Sequence, residues 1–310
     1  MSNTVLDEEI YQPSKEVLEV NKHWENNARQ MGSVEEAREF SEKEWTKLAA
    51  EPKAVDYIEV NADGVDAMWI IPKNAVQDRV LLCMHGGGYF AGSMFTHRKL
   101  FGHIAKTIGC RALSIDYRRS PEHQYPAQLD DVISAYRWLL DQGIDAGHIA
   151  LIGDSAGGGL AISGLLRMRE DKLPMPAAGM GISAWLDLTM SSETHTTNYE
   201  KDVLFRKEMC EFLVQILLGP DGDPKNPYVS PVFSNPKGLP PIYLQAGGDE
   251  TLLGDSKTFA EVAGKAGVDV KLDVFPKLLH TFQMTIGYSP EAKNAIGRFA
   301  DWVKPKLGLV

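Results

Sequence analysis

Ile149-Ala150-Leu151-Ile152 followed by Gly153-Asp154-Ser155-Ala156-Gly157 reads as a short apolar strand running into a tight turn, and Gly158 to Met168 then reads as a helix. A serine at the apex of a strand–turn–helix is held in a strained conformation that exposes its hydroxyl, and the flanking glycines leave room for backbones that cross close by. Ser155 is therefore the candidate nucleophile. A G-x-S-x-G match alone is short and occurs in unrelated chains, so the neighbouring sequence has to carry the rest of the argument.

On both sides of this turn, strand and helix patterns alternate. Val55 to Val60 and Val65 to Ile71 are extended and separated by Asn61-Ala-Asp-Gly64, a hairpin signal. Then come a strand at Val80 to Met84, a helix at Arg98 to Ile108, a strand at Ala112 to Ile115 and a helix at Leu129 to Leu140. Beyond the serine turn lie strands at Ala178 to Ser183, Ile242 to Leu244 and Val270 to Phe275, with helices at Ser256 to Ala266 and after Ser289-Pro290. Such alternation specifies an α/β fold, a mostly parallel sheet with helices on both faces.

Two stretches fall outside the alternation. Residues 14–50 read as two helices, with Val17, Trp24, Ala28 and Met31 at helical spacing, Gly32 as a stop and Ser33-Val-Glu-Glu36 as a capping box. Residues 187–235 hold polar runs, a helical segment at Lys207 to Leu218 and a turn-rich tract at Gly219 to Pro224. The expected organisation is an N-terminal helical lid segment over 1–50 and a catalytic domain over 51–310, with 187–235 contributing to the lid.

Composition narrows the classes. The 310 residues are 44% hydrophobic and 24% charged, ordinary for a globular protein. A formal net charge of -10 and the lack of any basic run exclude a nucleic-acid partner. No apolar stretch is long enough to span a bilayer, and Met1 to Ile10 is acidic with no signal-like apolar run. With three cysteines at no metal-ligand spacing, the expectation is a cytoplasmic protein with free thiols and no membrane partner.

Directly after the Val80 to Met84 strand comes His85-Gly86-Gly87-Gly88-Tyr89. Acyl transfer builds negative charge on a carbonyl oxygen, and a glycine-rich turn can point unhindered N–H groups at it. The expected donors are Gly87, Gly88 and Ala156, with His85 shaping the turn. No Gly-Lys-Ser/Thr or aligned G-x-G-x-x-G accompanies these glycines, which argues against a nucleotide site.

A third stretch, Asp116-Tyr117-Arg118 with Pro121-Glu122-His123, completes a set of three motifs in order. Together with His85-Gly-Gly-Gly88 and Gly153-Asp-Ser-Ala-Gly-Gly158, it resembles the hormone-sensitive-lipase-like (bacterial family IV) esterases of the α/β-hydrolase superfamily, from about residue 55 to the C-terminus. The resemblance implies an eight-stranded, mostly parallel sheet with a helical lid, and a triad in the order serine, acid, histidine. It also makes Asp116 to Ala127 a buttress of the site. His280 is the one histidine after His195, and Leu279-His280-Thr281-Phe282 is similar to the family's His-Gly-Phe, with threonine in place of glycine. For the acid, Gly247-Gly248-Asp249-Glu250-Thr251-Leu252 stands where the family has Asp-Pro-Leu. Alignment on Leu252 favours Glu250, with Asp249 as the alternative.

The implied activity is serine carboxylic-ester hydrolysis on short- to medium-chain or alicyclic esters, through a covalent acyl-enzyme and without metal or organic cofactor. The same triad serves a lactone hydrolase, and an amidase or formamidase and a non-catalytic ligand receptor are the further alternatives. Tyr89, Asp154 and Trp185 are the candidate substrate contacts, and Trp24, Trp45, Phe205 and Leu213 are further aromatic and apolar residues available to an acyl pocket. Relatives dimerise through the last strand and helix, here Val270 to Phe275 and Pro290 to Val303, so a homodimer is an implied partner state.

Overall fold

The computed structural model describes residues 2–5, 12–19, 22, 33–205 and 207–310. Its strands are β1 (Ser2–Val5), β2 (Val55–Ala62), β3 (Val65–Pro72), β4 (Val76–Met84), β5 (Cys110–Ile115), β6 (Ile149–Asp154), β7 (Ala178–Ile182), β8 (Ile242–Gly247) and β9 (Val270–Phe275). They form one sheet in the order β1-β9-β8-β7-β6-β4-β5-β3-β2. The eight expected strands, β2 to β9, are all present. The added β1 lies parallel to β9 at the sheet edge, Ser2 opposite Lys271.

The hairpin β2–β3 turns at Asp63 and Gly64, both at positive φ, and the Asn61 side chain accepts the Gly64 N–H at 2.7 Å. These two strands and their junction with β5 are antiparallel. From β5 outward through β4, β6, β7, β8 and β9 every pair is parallel. Strands β6, β7 and β8 are buried along their whole length, as a sheet covered on both faces requires.

One face is covered by α2 (Met94–Ile108) and α8 (Pro290–Val303), which place Phe101, Ile104, Ile296 and Phe299 against the sheet. The other face carries α3 (Ala127–Asp141), α4 (Ala156–Glu170) and α7 (Leu253–Lys265), with Val132, Tyr136, Leu165 and Phe259 in the core. Helix ends are set by local chemistry. Ser93 makes a capping box with Thr96 at the start of α2, Gly109 ends that helix in the left-handed conformation, and Ser289-Pro290 opens α8.

Outside these layers lie α1 (Val34–Glu44), the single turn α5 (Thr194–Thr197) and α6 (Lys207–Leu218). Ser33 caps α1 by accepting the Glu36 N–H at 3.1 Å. Trp24, Ala28, Met31 and Gly32, on which the expected first helix rests, lie outside the described residues. Among the described residues no helix is long and apolar enough to cross a membrane.

Candidate active site

The turn at Ser155 joins β6 to α4 at the C-terminal edge of the parallel strands, where α/β sheets place ligands. Ser155 has φ 54° and ψ -122°, a strained backbone held by its N–H donating to Ile182 O at 2.8 Å and its carbonyl accepting from Trp185 N at 2.9 Å. The flanking glycines are sterically required. A Cβ on Gly153 would sit on the Gly157 carbonyl, and one on Gly157 would sit on the Met84 carbonyl.

His280 Nε2 is 2.9 Å from Ser155 Oγ, and both side chains are buried at the foot of a cleft. On the other side of the imidazole, Nδ1 lies 3.9 Å from Glu250 Oε2, an ion-pair rather than a hydrogen-bond distance. Neither Nδ1 nor Glu250 Oε1 has another hydrogen-bond partner among the described residues. Asp249, one residue earlier, is directed elsewhere and pairs with Lys201 Nζ at 3.0 Å with a quarter of its side chain exposed. The structure thus brings Ser155, His280 and Glu250 together and leaves Asp249 outside.

Burial pushes His280 below the ordinary histidine range, against the opposing pull of Asp202 and Asp154, so the ring is neutral and can accept a proton at neutral pH. Burial also pushes the Glu250 carboxyl up, to about 8. Hydrogen bonds from Ser183 and Gly247 N–H oppose that rise, and the neighbouring carboxylates Asp202 and Asp255 reinforce it.

The glycine loop faces Ser155. Gly87 and Gly88 have φ 119° and 60°, and both line the cleft beside Ser155. The N–H groups of Gly87, Gly88 and Ala156 donate to no protein acceptor among the described residues. His85 stacks on Tyr117 with ring centroids 4.2 Å apart, and Tyr117 donates its hydroxyl hydrogen to His85 O at 2.8 Å. His85 therefore shapes the loop from behind. The Asp116 to Ala127 buttress is tied in by Arg38 of α1, which donates to Phe90 O at 2.7 Å and grips Glu122 with two hydrogen bonds of 2.7 Å.

Two of the three candidate substrate contacts sit away from the cleft. Asp154 borders the cleft, but its carboxylate accepts from Gly86 N at 2.9 Å and contacts His97 Nε2 at 3.2 Å, so it fixes the glycine loop. Burial raises the Asp154 carboxyl, yet His97, His85 and His280 outweigh this and hold it below its usual range. Trp185 is fully buried behind Phe205, with its indole N–H on Asp187 O at 3.2 Å. Tyr89 is buried against Trp185, with ring centroids 6.0 Å apart. Neither Trp185 nor Tyr89 is on the cleft wall.

The wall is instead built by Ala37, Phe40 and Trp45 from the N-terminal segment, and by Leu204, Phe205, Met209 and Leu213 from the insertion. Phe205 packs on the His280 ring at 4.7 Å, and a Cβ on Gly88 would meet the Leu213 side chain at 2.6 Å. The cleft encloses about 840 Å³, its open mouth included. Trp45, Phe205 and Leu213 were legible as apolar candidates, whereas Trp24 lies outside the described residues. His97 and Ser183 carried no sequence signal, because each acts through a partner far away along the chain.

A family profile described as alpha/beta hydrolase fold matches residues 81–284. The chain is 35% identical over 287 residues to an acetyl-hydrolase of Streptomyces hygroscopicus, covering 91% of this chain and 92% of that one. It is 36% identical over 232 residues to an esterase of Acinetobacter venetianus, covering 75% and 77%. Among solved structures, an esterase from the bacterial hormone-sensitive lipase family superposes with a TM-score of 0.93 at 37% identity, over 96% of this chain and 100% of that one. With the serine turn, the glycine loop and the late histidine in one cleft, these similarities establish that the chain belongs to the hormone-sensitive-lipase-like esterases of the α/β-hydrolase superfamily, enzymes that hydrolyse carboxylic esters.

Proposed function

We propose that Ser155, His280 and Glu250 form a catalytic triad that hydrolyses short- to medium-chain esters through a covalent acyl-enzyme. The observation that carries this reading is the 2.9 Å approach of His280 Nε2 to Ser155 Oγ beside unengaged backbone N–H groups. His280 takes the Ser155 proton as Oγ attacks the ester carbonyl carbon. The carbonyl oxygen gains negative charge opposite the N–H groups of Gly87, Gly88 and Ala156. As the tetrahedral species collapses, the bond to the alcohol oxygen breaks and that oxygen takes the proton from the imidazolium. Water then repeats the sequence on the acyl-enzyme and releases the acid.

In this reading the N-terminal segment within 1–50 and the insertion 187–235 together form the lid, since Phe40 and Trp45 line the same cleft as Phe205 and Leu213. A largely apolar wall suits an acyl chain, and the Asp154 carboxylate that borders the cleft is already engaged by Gly86 N–H and His97. Leu213 against Gly88 narrows the cleft next to the proposed oxyanion site.

The test is a matched set of p-nitrophenyl esters of graded acyl length, lactones and p-nitroanilides. The expected kcat/KM is highest for acyl chains of about two to eight carbons and falls at least about tenfold by twelve carbons, where the chain outgrows the cleft. Faster turnover of the anilides would make the protein an amidase, a preference for lactones would make it a lactonase, and tight binding without turnover would make it a receptor.

A further inference from the structure

Between β7 and the buried Trp185 stands Ser183, fully buried and at φ 46°, in the left-handed region that a side chain seldom adopts. Its backbone N–H donates to Gln245 O of β8 at 2.7 Å, which fixes the residue against the sheet. Its hydroxyl makes two contacts to two different loops. Oγ donates to Glu250 Oε2 at 2.6 Å and accepts the Thr281 N–H at 3.0 Å. Thr281 directly follows His280 and is itself at φ 51°.

We infer that Ser183 is a positioning residue of the triad: main-chain bonds from Gly248 N–H to Phe275 O and Asp249 N–H to Leu278 O join the two loops, and the Ser183 hydroxyl ties the Glu250 carboxylate itself to the His280 loop and so fixes the acid relative to the base. The inference rests on the triad reading given above. No other side chain among the described residues hydrogen-bonds both loops through one atom. Asn198 and Asp202 each reach only the acid loop, Asn198 through the carbonyls of Gly248 and Glu250 and Asp202 through Thr251.

The arrangement also has an electrostatic side. The Glu250 carboxylate is faced by Ser183 Oγ and Gly247 N–H, which favour its charged form, and by Asp202 and Asp255, which oppose it. His280 faces it from the base loop. Removing the hydroxyl takes away the shorter of the two hydrogen bonds to Oε2 and leaves burial and two like charges in control. The Glu250 carboxyl then holds its proton more tightly and ionises at higher pH.

The experiment uses Ser183→Gly, which accepts the positive φ without strain, beside Ser183→Ala, which keeps the Cβ. Both are expected to lower kcat on a p-nitrophenyl ester about 10- to 100-fold with KM within about twofold. The acidic limb of the kcat/KM profile is expected to move up by about one pH unit, so that raising the pH recovers part of the lost rate. If both variants keep kcat within about threefold with an unmoved limb, the inference is overturned. It is equally overturned by a loss that is the same at every pH and tracks a fall in melting temperature, since that is plain structural damage. Labelling with a fluorophosphonate separates the two levels. A folded wild type that resists labelling removes the triad and this inference together, whereas wild type and variants labelling at one rate remove the inference alone.

Discussion

Ser155→Ala is expected to lower kcat for ester hydrolysis by about 10⁶-fold, to the residual rate that binding and the oxyanion donors alone supply. His280→Ala is expected to cost nearly as much, and the double variant little more than either single one, because nucleophile and base act as a unit. The fold is expected to survive. Among the described residues Ser155 Oγ hydrogen-bonds only to His280, so its loss leaves no other donor or acceptor stranded there, and the positive φ of the turn is held by Ile182 O and Trp185 N through the backbone. A melting temperature equal to or above that of the wild type, measured beside the lost activity, would assign the serine to chemistry and not to structure.

Glu250→Ala is expected to lower kcat by about 10³- to 10⁴-fold, and Asp249→Ala by less than about threefold, although the residues are adjacent. Only Glu250 lies beside His280, whereas Asp249 makes a surface pair with Lys201. The pH dependence distinguishes Glu250 further. Burial holds its carboxyl up to about 8, so catalysis, which requires the carboxylate together with a neutral imidazole, is expected to rise with pH through a limb near that value. For stability the sign is opposite. A carboxyl with a raised pKa in the folded state keeps a proton that the unfolded chain has already released, so its ionisation costs folding free energy as pH climbs from the ordinary glutamate range, about 4.3, toward 8. Glu250→Gln is therefore expected to be inactive and yet to melt higher than the wild type at pH 9, with the gap closing near pH 4. Differential scanning calorimetry across that range reads the result.

The parts of the site that sequence reveals are those whose chemistry is local. Gly153 is forced by the Gly157 carbonyl within the same turn, Gly157 fits the G-x-S-x-G pattern although what forces it is the Met84 carbonyl of β4, and the three glycines after β4 announce a loop that must approach another charge closely. Glu250 and Asp249 could not be separated in that way. Their difference depends on Ser183 and Gly247 N–H, which a loop after β7 and the end of β8 bring to one carboxylate and not to the other. Trp185 illustrates the same limit, since its position after β7 suggested the cleft mouth, yet Phe205 from the insertion stands in front of it. Strand β1 was unreadable for a different reason. Its four residues, Ser2–Val5, show no apolar alternation, and main-chain pairing with β9 leaves no mark in the sequence. The lid side of the cleft was legible as apolar but not as a surface, because its residues come from segments about 170 positions apart whose meeting is set by the sheet beneath them.

The most direct test of the account is reaction of the wild-type protein with a fluorophosphonate, followed by peptide mass analysis. The account predicts one adduct per chain, on Ser155, formed rapidly in the wild type and in Asp249→Ala, and at least about a hundredfold more slowly in His280→Ala. A folded wild type that remains unlabelled while it hydrolyses esters, or an adduct on any residue other than Ser155, would contradict it.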